Sequence, residues 1–335
     1  SYYEDPHTLV GKVDFVMANP PFNVDEIDAE KIKNDPRLPF GLPGVDKDKK
    51  VSNGNYVWMS FFHSYLKDSG RAGFVMSSQA SSAGGGEAKV RQAMIETGDV
   101  DAMIAIRGNF FYTRSVPCEL WFLDKGKPAH LRDKVLMIDA RNIYNKVTRK
   151  IFDFTPEQEQ NITSIVWLYR GQSDRFLALV EDYLNTAHTG AVEMKPQLDD
   201  LKVSLKAAMA NLTDAVASSD EAEAKEQLDE LIPLVETLTA DLNAFEARVA
   251  ELAKSWEGSA RDNAGLNAAR EAFEPLADTC RDLSKQIDHV FKLSSRLHDV
   301  VVPKTASGRS RGGDGKKLID ALDLARQTAT DGLKQ

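Results

Sequence analysis

Nine apolar residues recur at alternating spacings of three and four: Leu228, Leu231, Val235, Leu238, Leu242, Phe245, Val249, Leu252 and Trp256. Only a long helix gathers such positions into one stripe, and that stripe must be buried against another helix. A second series repeats the alternation through Leu266, Ala269, Phe273, Leu276, Cys280, Leu283, Ile287 and Val290. The span "EGSARDNAG" (257–265) between them supplies a bend, so the two helices are expected to fold back as an antiparallel hairpin. A shorter stripe, Leu198, Leu201, Leu205, Ala208 and Leu212, runs in another phase and stops at "SSDEAE" (218–223), where Ser218 and Glu221 have capping-box spacing. These stripes suit a hairpin closed on itself or an arm that offers part of its face to another subunit.

The first 150 residues follow a different period. Apolar runs at "KVDFVMA" (12–18), "RAGFVMSS" (71–78) and "DVDAMIAI" (99–106) read as buried strands, separated by helix patterns at 55–69 and 86–98. Continuous apolar strands alternating with helices predict a mostly parallel sheet covered on both faces. "PCELWFLDKG" (117–126) and "KVLMIDA" (134–140) follow loops too short for a crossover helix, so antiparallel pairing is expected at one side of the sheet. Strand signals end near residue 155, where Thr155-Pro156-Glu157 begins the first of the helices.

Composition narrows the class. No run approaches the roughly 20 apolar residues of a spanning helix, and the N-terminus has no signal-peptide pattern. Two distant cysteines, Cys118 and Cys280, make no disulfide framework and fit a reducing cytoplasm. The net charge is −9, yet residues 1–155 are near neutral, with 21 basic and 20 acidic residues, so the acidity belongs to the second half. One basic stretch interrupts it, "PKTASGRSRGGDGKK" (303–317), which reads as a Gly/Ser-rich tether. Six histidines include no close ligand pair, so no metal is expected.

The chemistry concentrates at Asn19-Pro20-Pro21-Phe22, where the first strand must stop because proline has no N–H for the ladder. Open α/β sheets bind ligands at this edge. The Asn19 side-chain carbonyl and the Pro20 backbone carbonyl are two acceptors that can take both hydrogens of an exocyclic amino group. Pro21 stiffens the turn, and Phe22 offers a face for a stacked base. A plain strand end, with Asn19 capping a turn and Phe22 in the core, is the competing reading. The strand before the tetrapeptide and the helix and strand after it favour the first.

"VDFVMANPPFNVDE" resembles the catalytic motif of amino-group DNA methyltransferases. With "NYVWMSFFHSYLKDSGRAGFVMSS", "GGGEAKVRQAMIETGDVDAMIAIRGNFFYTRSVPCELWFLDKGK" and "WLYRGQ", residues 10–185 are similar to the modification (methylase) subunit of type I restriction-modification systems. The resemblance implies the C-terminal half of a Rossmann-like methyltransferase sheet followed by an all-α coiled-coil or helical-bundle domain. It implies N6-adenine methylation of DNA, with the methyl passing in line from S-adenosylmethionine to a flipped adenine. Asn19 and Pro20 would hold the N6 amino group, Asn19 would share an edge with the cofactor, and Phe22 would stack on the base. Phe111 matches a second aromatic near the base, a place Phe110 could also take. The implied partners are DNA, a specificity subunit, a second modification subunit and a restriction subunit.

The pattern also departs from the family. "SSQASSAGGG" stands where a Pro and a Gly usually follow the second strand, and only 18 residues precede Asn19, too few for the family's cofactor glycine loop. "SSAGGGEAK" (81–89) lacks that loop's register and reads as an ordinary loop. The expectation is therefore a C-terminal fragment, inactive alone. Its parts are a partial methyltransferase domain (1–150), a linking helical region (151–190), a long-helix hairpin (191–302) and a tether with a short C-terminal helix (303–335). Two other functions suit the same residues. One is an assembly module whose helical arm binds the specificity subunit; the other is an RNA or protein methyltransferase sharing the N-P-P-aromatic motif.

Overall fold

The computed structural model describes residues 1–111, 115–219, 221–301 and 314–334. The chain divides into two compact units, 1–172 and 173–335. The first is α/β, and among the described residues of the second the regular elements are all helices.

In the first unit, strand β1 (Val13–Ala18) is followed by the short pieces β2 (Ile27–Asp28), α1 (Ala29–Ile32) and β3 (Lys50–Val51), then by α2 (Asn55–Tyr65) and β4 (Leu66–Ser77). Helix α2 stops at Tyr65, earlier than its apolar spacing suggests. The carbonyls of Ser64 and Tyr65 accept from Gly11 and Lys12 at 2.9 and 3.1 Å, and Leu66 is already extended and paired with Val13. Next come α3 (Gln79–Ser82), α4 (Gly85–Glu96), β5 (Val100–Ile106), β6 (Cys118–Asp124), β7 (Leu136–Asp139), the small pair β8 (Asn145–Lys146) and β9 (Phe152–Asp153), and α5 (Pro156–Tyr169).

The central sheet has the order β1-β4-β6-β5-β7. Strand β1 is parallel to β4, and β7 is parallel to β5. The expected antiparallel side is corrected here: the antiparallel strand β6 is inserted between β4 and β5, with β7 parallel at the edge. The short β5–β6 connection permits only a hairpin, and β6 then satisfies ladder groups on both neighbours. On one face, Phe74, Met76, Met103 and Trp121 pack beneath Tyr56, Met59, Val90 and Met94 of α2 and α4. On the other face, Ile104, Ile106 and Ile138 meet Ile162 of α5. At the β1 edge of the sheet, Phe15 and Met17 are 77% and 96% exposed, while Val16 and Ala18 face the core.

Helix α5 begins with a capping box: Thr155 accepts from the Gln158 N–H at 3.2 Å, and the Gln158 side chain accepts from the Thr155 N–H at 3.1 Å. Its far end is held by Arg170, which donates to the buried Asp101 carboxylate at 2.5 Å.

The second unit contains α6 (Ser173–Glu193), α7 (Lys195–Ala217), α8 (Ala222–Glu257), α9 (Asn263–Val301) and α10 (Asp314–Gly332). Helices α8 and α9 run antiparallel, since Asp241 meets Gln286 while Trp256 meets Phe273 further along. The heptad residues Leu228, Leu231, Leu238, Leu242, Phe245, Val249 and the stripe of α7 join one core with α10, a helical bundle larger than a hairpin. The box expected from Ser218 to Glu221 does not form. Ser218 instead ends α7, with its hydroxyl donating to the Asp214 carbonyl at 2.9 Å. Of the basic stretch 303–317, residues 303–313 lie outside the described residues, and Asp314–Lys317 open α10.

Candidate functional site

Three strand ends meet where β1 stops. Ala18 is opposite Phe74 on β4, Ser77 at the end of β4 is opposite Cys118, and Ile106 at the end of β5 is opposite the same cysteine. The two prolines cannot extend the β1 ladder, so the chain leaves the sheet at Asn19 and turns across this edge. Asn19 is exposed, Pro20 is buried and Phe22 is half-buried. Phe22 touches both the cluster under α2 and α4 and the cluster under α5, which fixes its ring at the rim.

A cavity of about 350 Å³ opens there, lined by Asn19, Pro20, Pro21, Phe22, Asn23, Phe111, Val116 and Cys118. Phe111 arrives on the β5–β6 loop, whose neck is closed at Gly108: a Cβ there would lie 2.4 Å from the Ser115 carbonyl oxygen, so only glycine fits. Asn109 then adopts φ 70°, and its carbonyl accepts from the Phe152 N–H at 3.0 Å. The two adjacent aromatics part ways. Phe111 faces the Asn19 cavity, whereas Phe110 packs on Phe154 with ring centroids 4.7 Å apart and lines a separate cavity of about 480 Å³.

Asn23, Val116 and Cys118 join the cavity without having been singled out in the sequence. Only the register of an inserted antiparallel strand brings Cys118 here. Burial, with the neighbouring Glu119 charge, pushes the Cys118 thiol up to about 11. It therefore stays protonated at neutral pH, donating to the Val116 carbonyl at 3.4 Å, and is a packing group rather than a nucleophile.

The side of the site after β4 is tied by structural bonds. Ser81 donates to Glu119, and the Trp121 indole N–H donates to the same carboxylate at 3.1 Å. Burial raises the Glu119 pKa, and these donors lower it in part. Arg91 donates to the Ala80 and Ala83 carbonyls at 2.9 Å each, and the Tyr56 hydroxyl donates to Ala80 at 2.6 Å. In the glycine-rich stretch, a Cβ on Gly86 would lie 2.3 Å from the Pro43 carbonyl oxygen, so this glycine serves close packing.

The cavity lining offers carbonyl acceptors, two side-chain amides and flat apolar faces, with no carboxylate. These residues fit a planar, amino-bearing ring and do not fit the ribose and amino-acid parts of S-adenosylmethionine. Among the described residues, no three His, Cys, Asp or Glu side chains are grouped closely enough to hold a metal ion, and no helix is long and apolar enough to cross a membrane. His63 is buried and paired with Asp99 at 2.7 Å.

Fold and cavity together define an α/β unit with a cleft at the carboxyl ends of its parallel strands β1 and β4. Residues 1–185 match the family model for N-6 DNA methylases, which covers more than half of the sequence. The chain belongs to the N-6 DNA methylase family. It is 38% identical over 173 residues to the type I restriction enzyme MjaIX methylase subunit of Methanocaldococcus jannaschii, covering 51% of this chain and 31% of that one. It is 31% identical over 156 residues to the type I restriction enzyme HindI methylase subunit of Haemophilus influenzae, covering 46% and 33%. Among solved structures it is similar to the type I restriction-modification methyltransferase subunit from Streptococcus thermophilus, with 23% identity, a TM-score of 0.42 and coverage of 48% and 33%. The chain spans about a third of the length of the curated relatives it matches.

Proposed function

We propose that residues 1–172 form the base-holding part of an adenine-N6 DNA methyltransferase, the modification subunit of a type I restriction-modification complex. The observation that carries this reading is the single cavity shared by Asn19, Pro20, Phe22 and Phe111. An adenine reaches such a cavity only after leaving the duplex stack. Its two N6 hydrogens are accepted by the Asn19 side-chain oxygen and the Pro20 carbonyl, which orients the nitrogen lone pair away from both. Phe22 and Phe111 hold the ring by stacking, worth about 1–3 kcal/mol per base. When bound, S-adenosylmethionine supplies an electrophilic methyl group. Because the lining has no carboxylate for the donor's ribose hydroxyls or its amino-acid ammonium group, the 335-residue chain alone is expected to bind that cofactor weakly and to transfer no methyl group.

Amine attack of this kind uses no metal and no enzyme nucleophile, and the protonated Cys118 accords with it. The test is Asn19→Ala in the complete methylase assembled with its partner subunits. Sequencing the host DNA for N6-methyladenine reads activity at whatever site the complex modifies. We expect methylation to fall by about 10²-fold or more while the complex still assembles. Methylation at the wild-type level overturns the assignment of Asn19.

A second role is proposed for residues 173–335. Val203 and Leu324 are 69% and 67% exposed on the helical bundle, apolar positions suited to a partner helix. We assign these two positions to contacts with the specificity subunit. The restriction subunit, DNA and a second modification subunit complete the proposed assembly. Val203→Glu should weaken co-elution of the subunits without changing helix content; undiminished co-elution counts against it.

A further inference from the structure

The chain bends at Phe22 and Asn23, and Asn23 has φ 54°, a left-handed conformation that few side chains adopt. What holds it there comes from 32 residues away. Asn55, the first residue of α2 and fully buried, pairs reciprocally with Asn23: its Oδ1 accepts from the Asn23 N–H at 2.8 Å, and its Nδ2 donates to the Asn23 Oδ1 at 2.8 Å. Asn53 donates to the same Asn23 oxygen at 3.2 Å, and its own Oδ1 accepts from the Asn55 N–H at 2.9 Å. The Gly54 N–H donates to the Val24 carbonyl at 2.7 Å. A Cβ on Gly54 would lie 2.8 Å from Ile27 and 3.1 Å from the Val24 oxygen, so the two segments are pressed together.

A fully buried amide is costly unless its polar atoms are paired. Both ends of the Asn55 side chain are spent on Asn23, the residue next to Phe22. The amide pair anchors the peptide after Phe22 to the start of α2, at the end of the turn opposite Asn19, and so adds to the packing that holds the Phe22 ring.

We propose that Asn55 and Asn23 form an amide clamp that positions the Asn19–Phe22 turn for methyl transfer, Asn55 being a positioning residue. The proposal rests on the base-holding reading of that turn. Its chemistry is asymmetric. Asn23 uses its side chain only as an acceptor, for two donors, so a carboxylate can replace its amide oxygen. Asn55 uses both its donor and its acceptor.

The test measures single-turnover methylation and KM for DNA in the assembled complex. Asn23→Gly keeps the left-handed backbone available but removes the acceptor. A misplaced reacting group costs up to about 10²-fold in rate, so Asn23→Gly should lower the methyl-transfer rate about 10- to 100-fold while KM changes less than about threefold. Asn23→Asp should restore most of that loss. Asn55→Ala removes the partner of both the Asn23 N–H and the Asn23 Oδ1, so it should lower the rate at least as much; the double variant Asn23→Gly, Asn55→Ala should fall well short of the product of the two losses, because the bond from Asn55 Nδ2 to Asn23 Oδ1 is common to both. A wild-type rate in Asn23→Gly overturns the clamp. So does a loss confined to KM, or an Asn23→Asp variant no better than Asn23→Gly. Asn19→Ala is measured alongside: if it retains methylation, the base-holding reading fails, whatever the clamp variants do.

Discussion

The His63 Nε2 atom and the Asp99 carboxylate lie 2.7 Å apart, joining the last turn of α2 to the chain entering β5. Burial works against the Asp99 charge, but the His63 hydrogen bond and charge, with the Thr97 hydroxyl, outweigh it and hold the carboxyl below its ordinary value. A carboxylate whose folded pKa is depressed stabilises the fold above its unfolded value, about 3.9, and loses that contribution as pH falls through the lower folded value. Asp99→Asn should cost about 1–3 kcal/mol at pH 7. The difference between variant and wild type should shrink in acid. Urea unfolding across pH checks this; a difference that does not change with pH removes the charge from the account.

The neighbouring rings Phe110 and Phe111 should separate by phenotype. Phe110 packs on Phe154, so Phe110→Ala is expected to cost about 2 kcal/mol of stability and to lower methylation only as the folded fraction falls. Phe111→Leu should preserve the fold and weaken the base contact by about 1–3 kcal/mol, roughly 5- to 150-fold in affinity for a flipped base. Denaturation and methylation measured on the same preparations decide it. Equal methylation loss per folded molecule in both would dissolve the distinction.

What could be read from the sequence was whatever depended on neighbours in the chain. The stop at Pro20, the helix start at Thr155-Pro156-Glu157 and the heptads of α8 and α9 are local or periodic, and each appears in the structure. What depended on register was hidden. Cys118 reaches the cavity only because β6 is inserted antiparallel between β4 and β5, and Asn55 reaches Asn23 only because α2 begins beside the turn. Local spacing also misled, at the end of α2 and at Ser218, which has an acceptable cap partner in Glu221 but whose hydroxyl is taken by the preceding turn, which ends α7. Glycines were the most ambiguous signal, since a cofactor loop and a tight packing contact both call for them.

That ambiguity yields the last prediction. Gly84 and Gly86 are two residues apart, yet a Cβ on Gly84 meets nothing within 4 Å while one on Gly86 collides with the Pro43 backbone at 2.3 Å. Neither residue has a positive φ, so the contrast lies in space and not in conformation. Gly84→Ala should leave stability within about 0.5 kcal/mol, the usual range for a surface change. Gly86→Ala must push α4 away from the loop at Pro43, and overpacking of this sort costs about 1–3 kcal/mol. The displacement would carry Arg91 with it and loosen its bonds to Ala80 and Ala83, at the loop that follows β4. Chemical denaturation of the two variants measures the contrast, and hydrogen exchange at 79–83 locates it. Equal stability would show that the glycines are not there for packing and would reopen the loop as a ligand contact.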